Sequence, residues 1–424
     1  MEYGLELRAP FGTSHSSTSR RENALIEVWV EVPQQDGSSA VTVGVGEVGL
    51  PPKKPAAGYL SDFADVEGYP FKVAASAGHF SALRGITSFI QGGENPDEFA
   101  RLVRTLLRAL DEEPANVDPA SRFARSGIEA AVLDLFCVHS RIPLHQLIGI
   151  DVSKEITEQG VPLGSSFYTI ALNPDVQFML QQARSSLSFT PYLKIKLDSN
   201  IEQGTEPLCT YRVLLAILNG IKKIIEEEFT EYPTWKLCID ANGAWNPEGC
   251  IEMLKVLKPL SDHIYMLEQP FPTTLLKEPS EAGTQAWKVV KAAYENAGIP
   301  IFADESMSTA ADLPLLLDFV HGVNVKLEKA GGVRAALEAL LQAQKFNLKL
   351  WIGIMVGSRV NCGTGAHLLP LATHGDLDGS LLTTEDSQVH EGGFVWGEGQ
   401  YRGTVFLPTG LHGIGVRPKP ASAH

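Results

Sequence analysis

The chain is expected to fold as an α/β protein, a (β/α)8 barrel of the TIM type with an N-terminal α+β capping domain. Three observations predict this. Five short segments begin with apolar, often β-branched residues and run into Lys, Asp or Glu: YLKIKLD (192–198), LCIDANGAW (237–245), YMLEQPF (265–271), IFADES (301–306) and VNVKLEKAGG (323–332). Amphipathic helical stretches separate them. Charged residues therefore collect at the C-terminal ends of successive strands, where barrels place their active sites.

The first part of the chain lacks this alternation. Residues 1–8 form a strand candidate, and the polar stretch PFGTSHSSTSRREN (10–23) reads as a loop. Ile26, Val28, Val30 and Val32 alternate with Glu27, Trp29 and Glu31, the period of a half-buried strand, and 41–48 reads as the next strand of a meander. Residues 44–49 match GxGxxG, but Leu50-Pro51-Pro52 follows where a dinucleotide site needs a helix, so nucleotide binding is not expected. Residues 51–95 are punctuated by Pro and Gly and read as irregular. Helices follow at 96–113, with Phe99, Leu102, Val103, Leu106, Leu107 and Leu110 on one face, and at 121–140. Residues 1–150 are thus expected to form the capping domain.

From 151 the pattern becomes β–α alternation. Strands are expected at 164–171, 192–198, 236–241, 263–268, 300–303, 322–327, 349–354 and 369–376. Helices are expected at 207–228, 247–260, 284–297, 309–319, 331–345 and 362–370. Eight strands in 151–387 fit a barrel, with a doubly wound open sheet as the alternative. Residues 388–424 are expected to return to the cap.

Composition bounds the function. Of 424 residues, 44% are hydrophobic and 20% charged, which is ordinary for a soluble enzyme. A net charge of −15 argues against nucleic acid as partner. Cys137, Cys209, Cys238, Cys250 and Cys362 form no CxxC and read as reduced thiols. No apolar signal region or membrane-length apolar run is visible, so no membrane association and a cytoplasmic location are expected.

Asp240, Glu268 and Asp304 each end a different strand. Three acids at one barrel mouth repel one another unless a cation lies between them, and oxygen-only ligands point to Mg²⁺. Asn242 and Glu305 are placed to support those ligands. Lys194 and Lys196, two apart on one strand, point to the same side, and Lys326 ends the strand opposite. A neighbouring cation, a nearby metal and partial burial are expected to depress a lysine pKa toward that of a general base. A metal on a substrate carboxylate, with lysines on both faces of the adjacent carbon, fits proton transfer through an enediolate, giving the epimer.

KIK (194–196), DANGAW (240–245), EQP (268–270), ADES (303–306) and KLEKAGG (326–332), with the helix GIEAAVLDLF (127–136), resemble the enolase superfamily, in particular its muconate-lactonizing-enzyme subgroup. The resemblance spans nearly the whole chain. It implies Mg²⁺ on Asp240, Glu268 and Asp304, Lys196 and Lys326 as the acid/base pair, and Lys194 in support. It also implies a homo-oligomer, dimer or octamer. Mandelate racemase relatives carry a histidine base on the seventh strand, and KLWIGIMVG (349–357) has none.

Asp376 and Asp378 suit a substrate ammonium and resemble the Asp-x-Asp of dipeptide epimerases, so a small-molecule dipeptide is the expected substrate. Thr169 and Ala171 are expected to line the pocket. N-acylamino acid racemisation, muconate cycloisomerisation and o-succinylbenzoate synthesis are the alternatives within the subgroup, and a non-catalytic binding barrel is the alternative outside it. Relatives that prefer an Ala-Glu dipeptide carry an arginine in the loop after the first strand. That place holds Ser16 here, with Arg20 and Arg21 nearby. Gly357 replaces an acid found in many relatives, from which a larger or more apolar side-chain pocket is expected. Lys329 reads as an ion-pairing lysine, His15 and His374 as structural histidines with substrate contact as the alternative, and Arg359 is left without a role.

Overall fold

A computed structural model describes residues 2–13, 16–33, 38–49, 81–82, 96–111, 122–152, 156–197, 207–372 and 374–420. The cap is built on three antiparallel strands, β1 (Glu2–Thr13), β2 (Ser16–Pro33) and β3 (Ser39–Val48). The loop expected at 10–23 is instead a continuation of the β1–β2 hairpin, with Phe11 opposite Thr18 and Thr13 opposite Ser16. Its Ser and Thr residues tolerate extended backbone, and the ladder supplies the hydrogen bonds that a polar stretch would otherwise take from water. Of the 51–95 segment, only Ser81–Ala82 lies within the described residues, as a short strand parallel to β2.

Two helices, α1 (Pro96–Asp111) and α2 (Arg122–Ser140), complete the cap. Ile26, Val28 and Val30 of β2 pack with Phe99, Leu106 and Leu110 of α1 and Ile128, Ala131 and Leu135 of α2. The glycines of the false nucleotide motif serve this packing. A Cβ on Gly44 would lie 2.1 Å from the Ala131 carbonyl oxygen, and one on Gly46 would lie 2.0 Å from that of Gly127. The helix backbone therefore rests directly on the strand.

The barrel follows. Its first strand is broken by Phe167 into β4 (Val161–Ser166) and β5 (Tyr168–Ile170). Then come β6 (Tyr192–Lys196), β7 (Lys236–Asp240), β8 (Ile264–Glu268), β9 (Ile301–Ala303), β10 (Gly322–Lys326), β11 (Lys349–Gly353) and β12 (His374–Asp376). Each pairs in parallel with the next, β5 with β6 and β12 with β4, so the sheet closes on itself. Consecutive closed order excludes the doubly wound alternative, whose strand order reverses partway. The eighth strand is shorter than expected, because Leu369–Leu371 forms a 3-10 turn around Pro370. Helices run outside, including α3 (Val176–Ser186), α4 (Pro207–Glu228), α5 (Pro247–Leu257), α6 (Glu281–Asn296), α7 (Leu313–Leu316), α8 (Val333–Lys345) and α9 (Arg359–Ala366). Phe167, Cys238, Met266, Phe302 and Trp351 fill the barrel interior. Among the described residues no helix is long and apolar enough to cross a membrane.

The C-terminal segment does more than return to the cap. β13 (His390–Gly392) pairs with β16 (Val416–Pro418), while β14 (Val395–Trp396) and β15 (Thr404–Leu407) form a hairpin whose second strand lies antiparallel to β4. The chain reaches the cap at Ile414, whose N–H donates to Asp134 Oδ1 at 2.8 Å. The Val45 N–H of β3 donates to the other oxygen of the same carboxylate at 2.9 Å. Asp134 thus ties helix, cap sheet and tail together.

Burial pushes the Asp134 carboxyl up to about 7, against the two N–H donors that favour its charge. The folded state then holds this proton more tightly than the unfolded chain, whose carboxyl titrates near 4. The associated stability is fully present below about pH 4 and is lost as pH rises through about 7, by an order of magnitude of ~4 kcal/mol. We expect Asp134→Asn to flatten that loss. Urea midpoints of both proteins at pH 5 and pH 8 measure it, and an equal pH response in the two would remove Asp134 as the cause.

Candidate active site

The strand register brings the charged ends together. Lys196 is opposite Asp240, and Asp240 is opposite Glu268. Asp304 directly follows β9, the neighbour of β8. Across the barrel, Lys326 is level with Gly353 and Gly353 with Asp376. A side chain at Gly353 would collide with Asn324 Oδ1 at 2.4 Å and Lys326 Cε at 2.9 Å, so the glycine leaves the room Lys326 needs.

All three strand-end acids are buried, and each meets ammonium groups. Lys194 Nζ, 1% exposed, lies 2.7 Å from Glu268 Oε2, 3.0 Å from Asp376 Oδ2 and 3.2 Å from Asp240 Oδ2. Lys196 Nζ lies 2.7 Å from Asp240 Oδ2. Lys326 Nζ lies 2.8 Å from Asp304 Oδ2, and Lys329 Nζ lies 2.5 Å from Asp304 Oδ1 and also donates to the Asp304 carbonyl. Lys329 is the ion-pairing lysine expected, though inside the site. Among the described residues no three acids, histidines or cysteines are arranged as a closed metal cage. The donor set itself, three buried carboxylates on adjacent strands, has the chemistry of a hard-cation site.

Among the protein's own groups, the acids dominate the lysine electrostatics. Burial works against the Lys194 ammonium, but Asp376, Glu268 and Asp240 outweigh it and hold the pKa above the usual lysine range. Lys326 is likewise raised, burial being outweighed by Asp304 together with Glu268 and Glu305. Carboxylates this close attract both ammonium groups more strongly than the neighbouring cations repel them. Conversely, burial resists the charge of Asp240, yet Lys196 and Lys194 hold it down to about 2.

Asn242, Glu305 and Thr169 lie against the acids. The Asn242 N–H donates to Asp240 Oδ1 at 3.0 Å and its Nδ2 to Glu305 Oε1 at 3.0 Å. Glu305 Oε2 is buried without a partner, and burial raises this carboxyl to about 7. The Thr169 hydroxyl donates to Asp376 Oδ1 at 3.1 Å, and its N–H donates to Asp378 Oδ2 at 2.5 Å. Asp376 is held below the usual range, Lys194 overcoming burial, whereas burial and the Asp376 charge push Asp378 well up. The two acids are therefore unequal, one charged against Lys194 and the other favouring its proton. Ala171 packs with Leu7, Phe11 and Leu382, which brings the cap to this side of the mouth.

The structure also places His374, Gly357 and Arg359. His374 starts β12 at the opposite end of the barrel, against Phe167, Tyr192 and Tyr265, because the eighth strand begins there. The space beside Gly357 is not a wider substrate pocket. A Cβ there would lie 3.0 Å from Glu47 Oε1, a cap carboxylate that accepts from Ser358 N, Ser358 Oγ and Asn361 N. Arg359 pairs with Glu385 at the surface. His15 lies outside the described residues, as do the side chains of Ser16 and Cys209, while Cys137, Cys238, Cys250 and Cys362 are buried and unpaired.

Sequence reasoning missed two partners. Asn324 Nδ2 donates to Glu268 Oε1 at 2.6 Å. Its position two before Lys326 on β10 could have revealed it, since the two must share a face. Gln269 adopts φ +39° and its Oε1 accepts from Asp304 N at 2.9 Å. Asn242 adopts φ +44°, so the turns that leave β7 and β8 both hold left-handed residues.

A family model described as "Enolase C-terminal domain-like" matches residues 221–422. An enolase superfamily member of Dictyostelium discoideum is 33% identical over 417 residues, 92% of this chain and 89% of that protein. An L-Ala-D/L-amino acid epimerase of Pedosphaera parvula is 38% identical over 264 residues, 62% of this chain and 65% of the relative. The crystal structure of a dipeptide epimerase from Cytophaga hutchinsonii, complexed with Mg and D-Ala-L-Val, superposes with TM-score 0.66 at 19% identity, covering 99% of this chain and 95% of that one.

Proposed function

This chain belongs to the enolase superfamily, as an isomerase of the racemase and epimerase kind, and from that premise we propose that it is a Mg²⁺-dependent dipeptide epimerase. The reaction is a two-base 1,1-proton transfer at the α-carbon of the C-terminal residue. Asp240, Glu268 and Asp304 would hold the cation, with Asn242 and Glu305 behind them. When bound, the cation supplies positive charge that acidifies the proton next to a substrate carboxylate.

The observation that carries this reading is the placement of Lys196 and Lys326. They end the second and sixth of eight strands, and each is hydrogen-bonded to an outer member of the acid trio. One lysine takes the α-proton from one face and the other returns a proton to the opposite face. Lys194 stays charged between Glu268 and Asp376 and fixes both. Asp376 and Asp378 receive the substrate ammonium, which favours a free amino terminus over the N-acyl substrates of related racemases. Substrate and acids are thereby oriented before any proton moves.

Solvent deuterium incorporation tests this. Incubated with L,L-dipeptides and Mg²⁺ in D₂O, the enzyme is expected to add one deuteron at the α-carbon of a subset of them, and a chelator is expected to abolish the exchange. Asp376→Asn is expected to raise KM for those dipeptides by about tenfold or more, the cost of a buried charged hydrogen bond. Exchange of N-acylamino acids and not of dipeptides would point to the racemase alternative instead.

A further inference from the structure

Phe11 of the cap meets one of the two lysines proposed as acid and base. It lies on β1, where the β1–β2 ladder shifts register between Glu6 and Phe11. Such a shift bends a strand and re-aims its side chains. Phe11 is 7% exposed and packs with Leu7, Ala171 and Leu382, from the cap, the end of the first barrel strand and the segment after the eighth. The backbone beside it is pinned. Leu172 N donates to Gly12 O at 3.2 Å, and a Cβ on Gly12 would lie 2.3 Å from Leu172 O. The ring therefore has a fixed place over the barrel mouth.

Lys196 Nζ lies over that ring, 5.8 Å from its centre. An ammonium has three N–H donors to place. Asp240 Oδ2 accepts one at 2.7 Å, and Asn242 Oδ1 stands at 3.5 Å, both from the barrel. Phe11 covers the same ammonium from the cap. Its π face attracts the cation, and the attraction strengthens where water is excluded. Lys326 is held differently. Asp304 and the room left by Gly353 place it, and among the described residues it meets no aromatic ring. The two proton-transfer groups thus have unlike surroundings, with an aromatic cover on one side only.

We propose that Phe11 is a positioning residue for Lys196, its ring holding the ammonium toward the α-carbon and keeping water from it, so that it governs proton transfer on one face alone. The inference rests on the two-base reading above. Phe11 acts through Lys196 and carries no proton itself. Small displacements of a proton-transfer group cost rate steeply, so the loss of the ring should be read in kcat.

The test follows α-deuterium exchange with Mg²⁺ in D₂O on the L,L- and L,D-epimers of a dipeptide that the wild type exchanges, supplied separately. The epimer whose proton faces Lys196 is the one that Lys326→Ala still exchanges. Wild type is compared with Phe11→Leu, Phe11→Tyr and a protein carrying a trifluorinated phenylalanine at position 11, which keeps the ring's shape and weakens its π face. Phe11→Leu and the fluorinated protein are expected to slow exchange of that epimer by about tenfold in kcat, leaving the other epimer and both KM values near wild type. Phe11→Tyr is expected to restore most of the loss. Thermal midpoints establish folding, and the fluorinated protein decides the matter if Phe11→Leu does not fold. Equal slowing of both epimers, a change confined to KM, or unaltered exchange in the fluorinated protein would each overturn the assignment while leaving the epimerase reading intact. Exchange of both epimers or of neither by Lys326→Ala would overturn the two-base reading, as would absence of exchange with every dipeptide in the wild type, and the inference would fall with it.

Discussion

In D₂O, Lys326→Ala is expected to exchange the α-proton of one epimer of a substrate dipeptide while leaving its configuration unchanged. Lys196 remains to remove the proton and return a deuteron on the same face, but nothing serves the other face. Lys196→Ala is expected to exchange only the opposite epimer. Epimerisation should fall by about 10³-fold in each, within the range that general acid–base groups contribute. Both variants should fold, because each acid keeps a second lysine: Asp304 retains Lys329 and Asp240 retains Lys194. The measurement is NMR of exchange and inversion on separately supplied epimers. Epimerisation within tenfold of wild type in either variant would mean that one lysine suffices, and the two-base mechanism would fall.

Lys194→Met is expected to be the more damaging change to the fold. Among the described residues Lys194 is the only ammonium in contact with Glu268 and with Asp376, and it is almost completely enclosed. Removing one partner from a buried ion cluster typically costs about 3–5 kcal/mol, because the remaining charges stay desolvated and unpaired. Here three acids lose a partner together. Urea unfolding of the variant and wild type reads the loss. Added Mg²⁺ is expected to restore part of it, as binding to the folded state must. A loss below about 1 kcal/mol would show that the acids do not depend on Lys194 for charge balance.

Much of the site was legible because strands repeat every two residues and end in a fixed direction. Asp240, Glu268 and Asp304 could be read from the ends of their strands, and Lys194 with Lys196 from their spacing. The barrel itself followed from β–α alternation. What escaped depended on contacts between distant parts of the chain. Glu47 and Phe11 belong to the cap, and nothing local tells a reader that they meet the segments after the first, seventh and eighth strands. The hairpin at 10–23 was hidden for a related reason: its polar composition resembles a loop, and only its pairing makes it a sheet. The lysine electrostatics also needed distances, since the sign of the shift depends on whether acids or cations lie nearer.

The break at Phe167 has a consequence for synthesis. The first barrel strand bonds to the last one on one side of the break and to β6 on the other, while the hairpin 395–407 lies along the same segment. On a ribosome, residues 161–166 therefore emerge more than two hundred positions before either of their sheet neighbours. They must wait with an open edge, exposed to mispairing, until those neighbours have been made. The seam of this barrel closes late in synthesis, and chaperone dependence should be governed by residues 374–407 rather than by 161–166.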